Sequence, residues 1–511
     1  MHACFCLHFL HFSFLPHSES EHPHWAETFP CPTRPISSRD LPKRKQGPSK
    51  MIPQLLFITG GLNSRAIVVQ LDKATTQASN PSSNDEEFRE LFLSSIHIDI
   101  PVVNAIRRLL AVKQLDGIHF GRCTGLVHYV LEDACANGVQ KFSLLCDFRR
   151  IETSWCQALG RGLRHHNCRV RKLILQAHLT TELARALFEG LVNSPGDNNN
   201  KNKNSNSLEE ISVPLSDVHW QSILLVSATL QNCRTLRRLS LNRHDLMYTM
   251  NENQVATLMK SLWNHPSLKE LCIQGSSCRE GGIHAIAQHL LGATSKLEKL
   301  DLSNHKFGLD RMEGMRSLSK ALGTNTSLKS LSLSGHQLRE EDMMDMASAL
   351  TSSTSRLQEL CLSDCHLTND CISIFSERLP AMTNLKTLWL HDNPFDETCA
   401  QALLDCLGTN MEMEQLILPL GRGRDMDRIQ KELELWLLMN RAGRRLLLSS
   451  KATPPYLWAM VLERITKQSR DVSLSSPSFG SGTRSDCGRA KNLDASAIYH
   501  LLQQGTLSFG Q

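Results

Sequence analysis

Apolar residues recur along this 511-residue chain at a nearly constant interval, and two copies of the pattern lie close to each other. The first, fourth, sixth and eleventh positions of one copy are Leu357, Leu360, Leu362 and Leu367. The same arrangement begins again 28 residues later, at Leu385. Alternating apolar residues at the fourth and sixth positions predict a short strand, and the residues between the copies have helical spacing. Each copy therefore predicts a strand, a turn and a helix.

Further copies extend this pattern in both directions. The predicted starts are Phe88, Val112, Val139, Val170, Leu208, Leu236, Leu268, Leu297, Leu328, Leu357, Leu385 and Met413. Apolar residues with i, i+3, i+4, i+7 spacing follow most of them, which is the pattern of a helix with one buried stripe. A single strand–helix unit cannot bury its apolar face alone, so neighbouring units must stack. The pattern therefore predicts one elongated α/β array, from about residue 86 to residue 420.

The motif L-x-x-L-x-L-x-x-N/C-x-L with a full helix in each unit resembles the ribonuclease-inhibitor class of leucine-rich repeats. The resemblance covers about twelve units, from Phe88 to Leu418. It implies a right-handed α/β horseshoe, with parallel strands on the concave face and helices on the convex face. His244, His305 and His336 stand where the motif prefers Asn or Cys. In those units we expect the hydrogen bonding of the turn to differ.

Composition divides the rest of the chain. Residues 1–85 are rich in His, Pro, Ser and Lys without a sustained period, and the polar tract at 193–207 interrupts the array, so both are predicted to be disordered. Residues 421–470 predict a helical cap for the exposed end of the array. Their sequence is similar to the caps of stand-alone leucine-rich-repeat families of unicellular eukaryotes. Residues 471–511 form a Ser/Gly-rich tail with a possible short helix.

Charge and cysteine content indicate a compartment and a class of partner. A formal net charge of +5 over the whole chain does not favour nucleic acid. The 17 cysteines lie on strands, turns and helices that stacking does not bring into disulfide geometry, which favours reduced thiols in the cytoplasm or, as an alternative, the nucleus. The apolar N-terminus resembles part of a signal peptide but lacks its basic region, so secretion is disfavoured, and Met51 is an alternative start. No sequence run is long enough to predict a membrane span, and we expect a monomer.

Common motifs of catalysis and cofactor binding are missing from the sequence. It contains no G-x-x-x-x-G-K-[ST], H-E-x-x-H or G-x-S-x-G, so no catalytic or cofactor-binding residue is predicted. Cys361, Cys365, His366 and Cys371 superficially resemble zinc ligands. The repeat assigns them to a strand face, a turn and a helix, so we do not expect them to converge on a metal. The prediction is a protein without enzymatic activity, cofactor or metal.

The remaining candidate is the surface of the strands. Leucines at positions 4 and 6 point into the core, so positions 3, 5 and 7 should face the concave side. Trp389 is the large aromatic residue among the later of these positions, and interfaces are enriched in Trp and Arg. The alternative is that the cap or the tail covers it. The predicted partner-binding residues are Trp389, His391, Arg238, Glu270, Lys299 and Glu359.

Three functions follow as hypotheses. The first is a non-enzymatic scaffold that binds a partner protein across the concave face. The alternative is a GTPase-activating protein for a Ran-like small GTPase, because such activators share this type of repeat. Their acidic tail is absent here, where the tail is rich in Ser and Gly. A recognition module of a ubiquitin ligase or an immune receptor is a third reading, and no adaptor motif supports it.

Overall fold

The computed structural model of the chain describes most of the sequence between residues 54 and 445. The described ranges are 54–59, 63–79, 88–145, 152–165, 167–175, 184–188, 208–213, 220–241, 252–274, 280–292, 295–303, 313–352, 354–419, 424–445, 460–461 and 463–464. The predicted polar insertion at 193–207 and the tail at 471–511 lie outside these residues. Among the described residues, no helix combines the length and apolar character needed to cross a bilayer.

The core of the fold is a parallel sheet of thirteen strands in chain order. The strands are β1 (Gln54–Thr59), β2 (Phe88–Ser94), β4 (Gly117–Gly121), β6 (Lys141–Leu145), β7 (Lys172–Leu175), β8 (Glu210–Ser212), β9 (Arg238–Ser240), β10 (Glu270–Cys272), β11 (Lys299–Asp301), β12 (Ser330–Ser332), β13 (Glu359–Cys361), β14 (Thr387–Trp389) and β15 (Gln415–Ile417). Two short strands, β3 (His97–Ile98) and β5 (Thr124–Gly125), pair separately. The predicted α/β leucine-rich-repeat solenoid is confirmed.

Helices connect the strands and cover one face of the sheet. They are α1 (Ser64–Ser79), α2 (Ile100–Val112), α3 (Val127–Ala136), α4 (Thr153–Leu163), α5 (Trp220–Asn232), α6 (Glu252–Leu262), α7 (Glu280–Leu290), α8 (Glu313–Thr324), α9 (Glu340–Leu350), α10 (Asn369–Arg378), α11 (Glu397–Leu407) and α12 (Arg424–Ala442). Helices that follow one another across a single strand pack side by side. Their apolar stripes and the residues at motif positions 4 and 6 form one continuous buried cluster.

The strand register aligns the same motif position in every unit. In β13 and β14, for example, Leu360 is paired with Leu388, and both side chains are fully buried. The backbone carbonyl at position 2 of most units accepts hydrogen bonds from two N–H groups of the next unit. The Glu298 carbonyl, for instance, accepts from Lys329 and Ser330 at 2.8 and 3.0 Å. Because these bonds recur at most junctions of the sheet, each strand fixes the position of the next.

The array begins earlier than the sequence predicts. Strand β1 pairs in parallel with β2, and α1 packs on α2 with Ile67, Leu71 and Ala74 buried. The prediction that residues 1–85 are disordered is therefore wrong for β1 and α1. The unit was missed because Pro53 occupies position 1, where the other units have an apolar side chain.

The third unit of the array also differs from the prediction. Strand register pairs Ile118 with Leu91 and with Phe142, so position 1 of this unit is Leu115 and not Val112. Val112 is the last residue of α2 and is exposed. The motif in this unit, Leu115-Asp-Gly-Ile118-His-Phe120, is regular, and the predicted start was wrong by three residues.

Helix α12 follows the last strand, within the segment predicted to be a cap. It packs on α11 and β15 and buries Ile429 and Leu433 in the continuous core. Arg444, just beyond this helix, is completely buried and donates from Nη2 to the carbonyl oxygens of Leu407 and Gly408 at 3.0 and 2.9 Å. Burial lowers the pKa of its guanidinium to about 10, which leaves it charged at neutral pH. The described part of this segment therefore packs against the preceding repeat.

Different side chains make the same hydrogen bond at motif position 9. Cys123 and Cys365 donate from Sγ to the carbonyls of Leu93 and Leu333, at 3.2 and 3.1 Å. His336 donates from Nε2 to the Leu302 carbonyl at 2.7 Å. Each of these carbonyls belongs to position 6 of the preceding unit. His336 therefore preserves the bond that we expected to differ, whereas His244 and His305 lie outside the described residues.

Asn393 also occupies position 9 and makes additional bonds. Its Nδ2 donates to the carbonyls of Leu362 and Leu390 at 2.8 and 2.9 Å. Its Oδ1 accepts from the N–H groups of Cys365 and Leu367 at 2.9 and 3.1 Å. The side chain is buried, so four backbone groups of two units depend on this one amide.

A second turn, just before the strand, uses Asn and His interchangeably. Asn325 Oδ1 accepts from the Leu328 N–H at 2.7 Å, and its Nδ2 donates to the Leu291 carbonyl at 3.1 Å. His265 accepts at Nδ1 from the Leu268 N–H and donates from Nε2 to the Cys233 carbonyl, both at 3.1 Å. This pattern requires a neutral imidazole. Burial lowers the pKa of His265, although backbone carbonyls oppose the effect.

Replacing His265 by Asn should remove part of the acid sensitivity of the fold. Because the folded pKa lies below the ordinary value of 6.5, the unfolded chain binds the proton first. The stabilisation by neutral His265 is complete above the ordinary pKa of 6.5, and it is lost as the pH falls through the folded pKa. We expect the His265→Asn variant to be within about 1 kcal/mol of the parent at neutral pH, and to lose less stability than the parent on acidification. Urea unfolding above and below the ordinary pKa measures both.

The matched control is Asn325→His, which places an imidazole at the equivalent turn and should increase the acid sensitivity. An equal loss of stability in the parent and in the His265→Asn variant would contradict the assignment.

Substitutions at Asn393 should rank by the bonds that they keep. Asn393→Ala leaves buried backbone groups unpaired and should cost about 2–3 kcal/mol. Asn393→Cys should cost less, since Cys123 and Cys365 make the position-9 bond with a thiol. The free energy of unfolding in urea, followed by circular dichroism, gives the order. Equal stability of the Ala variant and the parent would show that solvent replaces the amide.

Candidate functional site on the open face of the sheet

The face of the sheet opposite the helices carries the side chains at motif positions 3, 5 and 7, and we name it the open face. In β9, β10 and β13 the central strand residue is buried and its two neighbours are partly exposed, as the alternation predicts. Trp389 belongs to this face, because Leu388 and Leu390 are members of the continuous core and Trp389 is not. Motif positions 3, 5 and 7 therefore each form a row of side chains across the open face.

The predicted hot spot at Trp389 is not exposed. Its side chain is 4% accessible, and it stands in register between Cys361 and Ile417. Adjacent strands are about 4.8 Å apart, so a large indole lies against the side chains at the same position of its neighbours. The expectation that this tryptophan is exposed is therefore wrong.

Other side chains of the open face, on or just after strands β11 to β13, are also buried. Ser330, Ser332 and Ser363 are each less than 10% accessible, as is Asp301. Asp301 accepts hydrogen bonds at Oδ2 from Gln274 Nε2 at 2.6 Å and at Oδ1 from the Ser303 hydroxyl at 2.5 Å. Its carboxylate is thus held by neighbouring side chains. This part of the face offers little accessible surface.

Charged side chains at position 3 form a ladder across four consecutive strands. Lys172 Nζ lies 2.9 Å from Glu210 Oε1, and Arg238 Nη1 lies 3.7 Å from the same oxygen. Arg238 Nε also lies 2.7 Å from Glu270 Oε2. We name Lys172, Glu210, Arg238 and Glu270 the charge ladder. All four remain partly exposed, so solvent screening leaves each pair a small contribution to stability.

The structure brings together only some of the six predicted partner-binding residues. Arg238 and Glu270 form an ion pair, and Lys299 stands next to Glu270 in register.

The others lie further along the sheet. Glu359 is on β13, beyond Ser330, and its Oε2 has no hydrogen-bond partner among the described residues. His391 follows β14, with Nδ1 2.6 Å from Asp392 Oδ2. The six residues therefore span β9 to the end of β14 and do not form one cluster.

Accessible aromatic area lies at the other end of the open face. Phe57 on β1 is 46% exposed, and its ring stacks on Phe92 with centroids 4.4 Å apart. Phe92 in turn stacks on His119 at 5.9 Å. All three residues occupy position 5 of consecutive units, and we name them the aromatic stack. Sequence reasoning missed them because β1 was not predicted and the unit containing His119 was placed three residues early.

An ion cluster adjoins the aromatic stack. His119 Nε2 lies 3.0 Å from Glu90 Oε2, and Lys141 Nζ lies 3.3 Å from Glu90 Oε1. Glu90 and Lys141 are separated by the strand that carries Gly117 at the same position. A Cβ on Gly117 would lie 3.1 Å from His119 Nε2, so the glycine gives these side chains room. The hydrogen bond with His119 holds the pKa of the Glu90 carboxyl below its ordinary value, and Lys141 adds to the effect.

The cysteines and histidine that resembled zinc ligands are arranged as structural residues. Cys365 Sγ donates to the Leu333 carbonyl, and burial raises its pKa to about 12. Cys361 lies on the open face with Sγ 3.4 Å from Ser363 Oγ, and Cys371 lies in the first turn of α10. Cys272 on β10 is kept protonated by burial and by the nearby Asp301, which raise its pKa. In the described residues, no three His, Cys, Asp or Glu side chains are arranged to hold a metal ion.

Comparisons with known proteins agree with this architecture. No family model matches the chain. It is 26% identical over 234 residues to human NACHT, LRR and PYD domains-containing protein 5, an alignment that covers 42% of this chain and 19% of that protein. It is 25% identical over 249 residues to mouse ribonuclease inhibitor, covering 48% of this chain and 51% of the inhibitor. Pig ribonuclease inhibitor is 27% identical over 154 residues, which are 30% of this chain and 33% of the inhibitor.

The matched regions amount to about half of the mouse inhibitor and about a fifth of the human protein. None of these relatives supports the alternative of a GTPase-activating protein. The repeat motif, the parallel sheet with one helix layer and these relatives lead to the same result. The chain has the fold of an α/β leucine-rich-repeat solenoid, and it is similar to leucine-rich-repeat proteins of the ribonuclease-inhibitor type.

Proposed function

We propose that this chain is a non-enzymatic scaffold that binds a partner protein on the open face of its sheet. The observation that carries the proposal is the exposed ring of Phe57, stacked on Phe92 at the start of that face. Aromatic residues on ordered strands lose little conformational entropy on binding, and they are enriched among the residues that dominate interfaces. One of the relatives is named for inhibiting a ribonuclease, which is itself a protein.

The charge ladder supports the same surface. Its four side chains alternate in sign and are partly exposed on strands β7 to β10. A partner with the complementary alternation would be held in one register, because a shift of one strand would bring like charges together. Of the six predicted partner-binding residues, Arg238 and Glu270 remain in the proposed contact with the partner. Lys299 lies beside them. The burial of Trp389 removes it from the proposed contact.

We further infer a reducing compartment, the cytoplasm or the nucleus. The eleven described cysteines are free thiols, and many are buried in the core of the repeats. Several donate hydrogen bonds to backbone carbonyls as Sγ–H, as at Cys123 and Cys365. Oxidation of such a thiol would remove the donor, so the fold is suited to conditions that keep thiols reduced.

Removing the exposed aromatic ring should weaken partner binding without unfolding the chain. The full chain is immobilised, and bound proteins from an extract of the source cells are quantified by mass spectrometry. Phe57→Ala should reduce recovery of specific partners about tenfold or more, because truncation of an interface hot spot costs roughly 2 kcal/mol. The matched control is Val69→Ala, which removes an apolar side chain that is 61% exposed on α1.

Recovery of partner proteins should be unchanged in the Trp389→Ala variant if that variant remains folded, because the indole is covered. Full recovery of every partner by Phe57→Ala, or equal losses in the Phe57→Ala and Val69→Ala variants, would rule out the aromatic stack as the contact.

The redox state of the isolated chain tests the inferred compartment. The protein is taken directly from its source cells under acid, denatured and alkylated without prior reduction. We expect all eleven described cysteines to carry the alkyl group in peptide mass spectra. Disulfide-linked peptides containing Cys123 or Cys365 would contradict a reducing compartment.

A further inference from the structure

Another exposed aromatic residue lies on a different surface, where helices α5 and α6 lead into strands β9 and β10. Trp263 follows the last residue of α6 and is 54% exposed. It lines a groove of about 460 Å³ together with Arg234, Lys260 and Pro266. We name these four residues the rim groove. Its volume lies in the range of about 300–1,000 Å³ that is typical of binding pockets.

The backbone of the rim groove is fixed by the turn described above. Asn264 adopts a φ of 55°, the left-handed conformation that ends a helix. The next residue, His265, is buried and anchored through both ring nitrogens to the backbone of two units. Trp263 is therefore presented by an ordered turn, and this lowers the entropy cost of using it in an interface.

The charge of the rim groove is positive, and no acidic side chain in the part of the chain that the structure describes pairs with Arg234 or Lys260. Arg234 and Lys260 are exposed, and neither forms an ion pair with another described residue. No Asp or Glu is among the described residues that line the groove. In the next unit, Lys296 adds a third cation at the same rim, with Nζ donating to the Pro266 carbonyl at 3.2 Å.

The acidic residue nearest to Lys296 along the chain does not supply a negative charge to the groove. Glu298, two residues after Lys296, is already bridged by Lys269 and Lys329, whose Nζ atoms lie 2.6 and 2.8 Å from its carboxylate. These two lysines lower the pKa of the Glu298 carboxyl. A ligand of the rim groove must therefore bring its own carboxylates.

We propose that the rim groove docks a short acidic segment of a partner protein. An apolar side chain of that segment packs against the indole of Trp263, and flanking Asp or Glu carboxylates pair with Arg234 and Lys260. The size of the patch favours a peptide over a nucleic acid, because the unpaired cations are confined to neighbouring units and do not form a track for a phosphate backbone. This surface is separate from the open face, so the inference does not rest on the proposed function.

Fluorescence anisotropy with the full chain tests the proposal. The probe is a fluorescein-labelled peptide of alternating Glu and Leu, and the reference peptide replaces Glu by Lys. We expect the acidic peptide to bind at low salt and to weaken as salt screens the charges. The double variant Arg234→Glu/Lys260→Glu and the single variant Trp263→Ala should each weaken binding about tenfold or more.

Matched controls separate the groove from general charge and general hydrophobicity. Arg378→Glu/Lys431→Glu makes the same change in net charge on exposed residues of α10 and α12. Met344→Ala removes an apolar side chain that is 48% exposed on α9. Both controls should bind the acidic peptide like the parent. Circular dichroism confirms that all variants are folded.

Three outcomes would overturn the proposal. The first is equal binding of the acidic and the basic peptide by the parent chain. The second is unchanged binding by the rim-groove variants, or equal weakening in the controls. The third is tighter binding of a labelled oligouridine that the double variant abolishes, which would assign the groove to nucleic acid.

Discussion

Each unit of this array leaves the apolar face of its strand and helix uncovered, and only another unit can cover it. The leucines at positions 4 and 6 and the helix stripes form a single cluster that extends from Ile58 to Leu437. The position-2 carbonyl adds a second link, since it accepts two N–H groups of the following strand. Hydrophobic burial therefore provides the attraction between units, and the paired backbone bonds fix the register. The open face, the ladder and the groove all depend on this register.

The hydrogen bonds of the turns that join neighbouring units can be made by several different side chains. The carbonyl at position 6 requires one donor from the next unit, and a thiol, an imidazole or an amide supplies it at Cys365, His336 and Asn393. The same exchange of Asn for His occurs before the strand, at Asn325 and His265. What the fold requires at these positions is a donor at a fixed place, and several side chains meet that requirement.

The sequence predicts the repeat period, the parallel sheet and the buried leucines because all of them follow from local spacing. It fails where one unit departs from the motif, as at Pro53, and where two registers are possible, as for Val112 and Leu115. Exposure is harder to predict than position. Alternation correctly places Trp389 on the open face, but its accessibility depends on side chains from other strands and segments. The aromatic stack was missed because strand β1 was not predicted and the unit containing His119 was placed in the wrong register.

The alternation of sign along the charge ladder has a consequence for the evolution of the array. Repeat proteins change length by losing or duplicating whole units. Loss of the unit that carries Glu210 would place Lys172 beside Arg238, two cations on neighbouring strands. Loss of that unit together with the next would place Lys172 beside Glu270 and restore an attractive pair. In this part of the molecule, deletion or duplication of two units together therefore preserves the alternation of charge along the ladder.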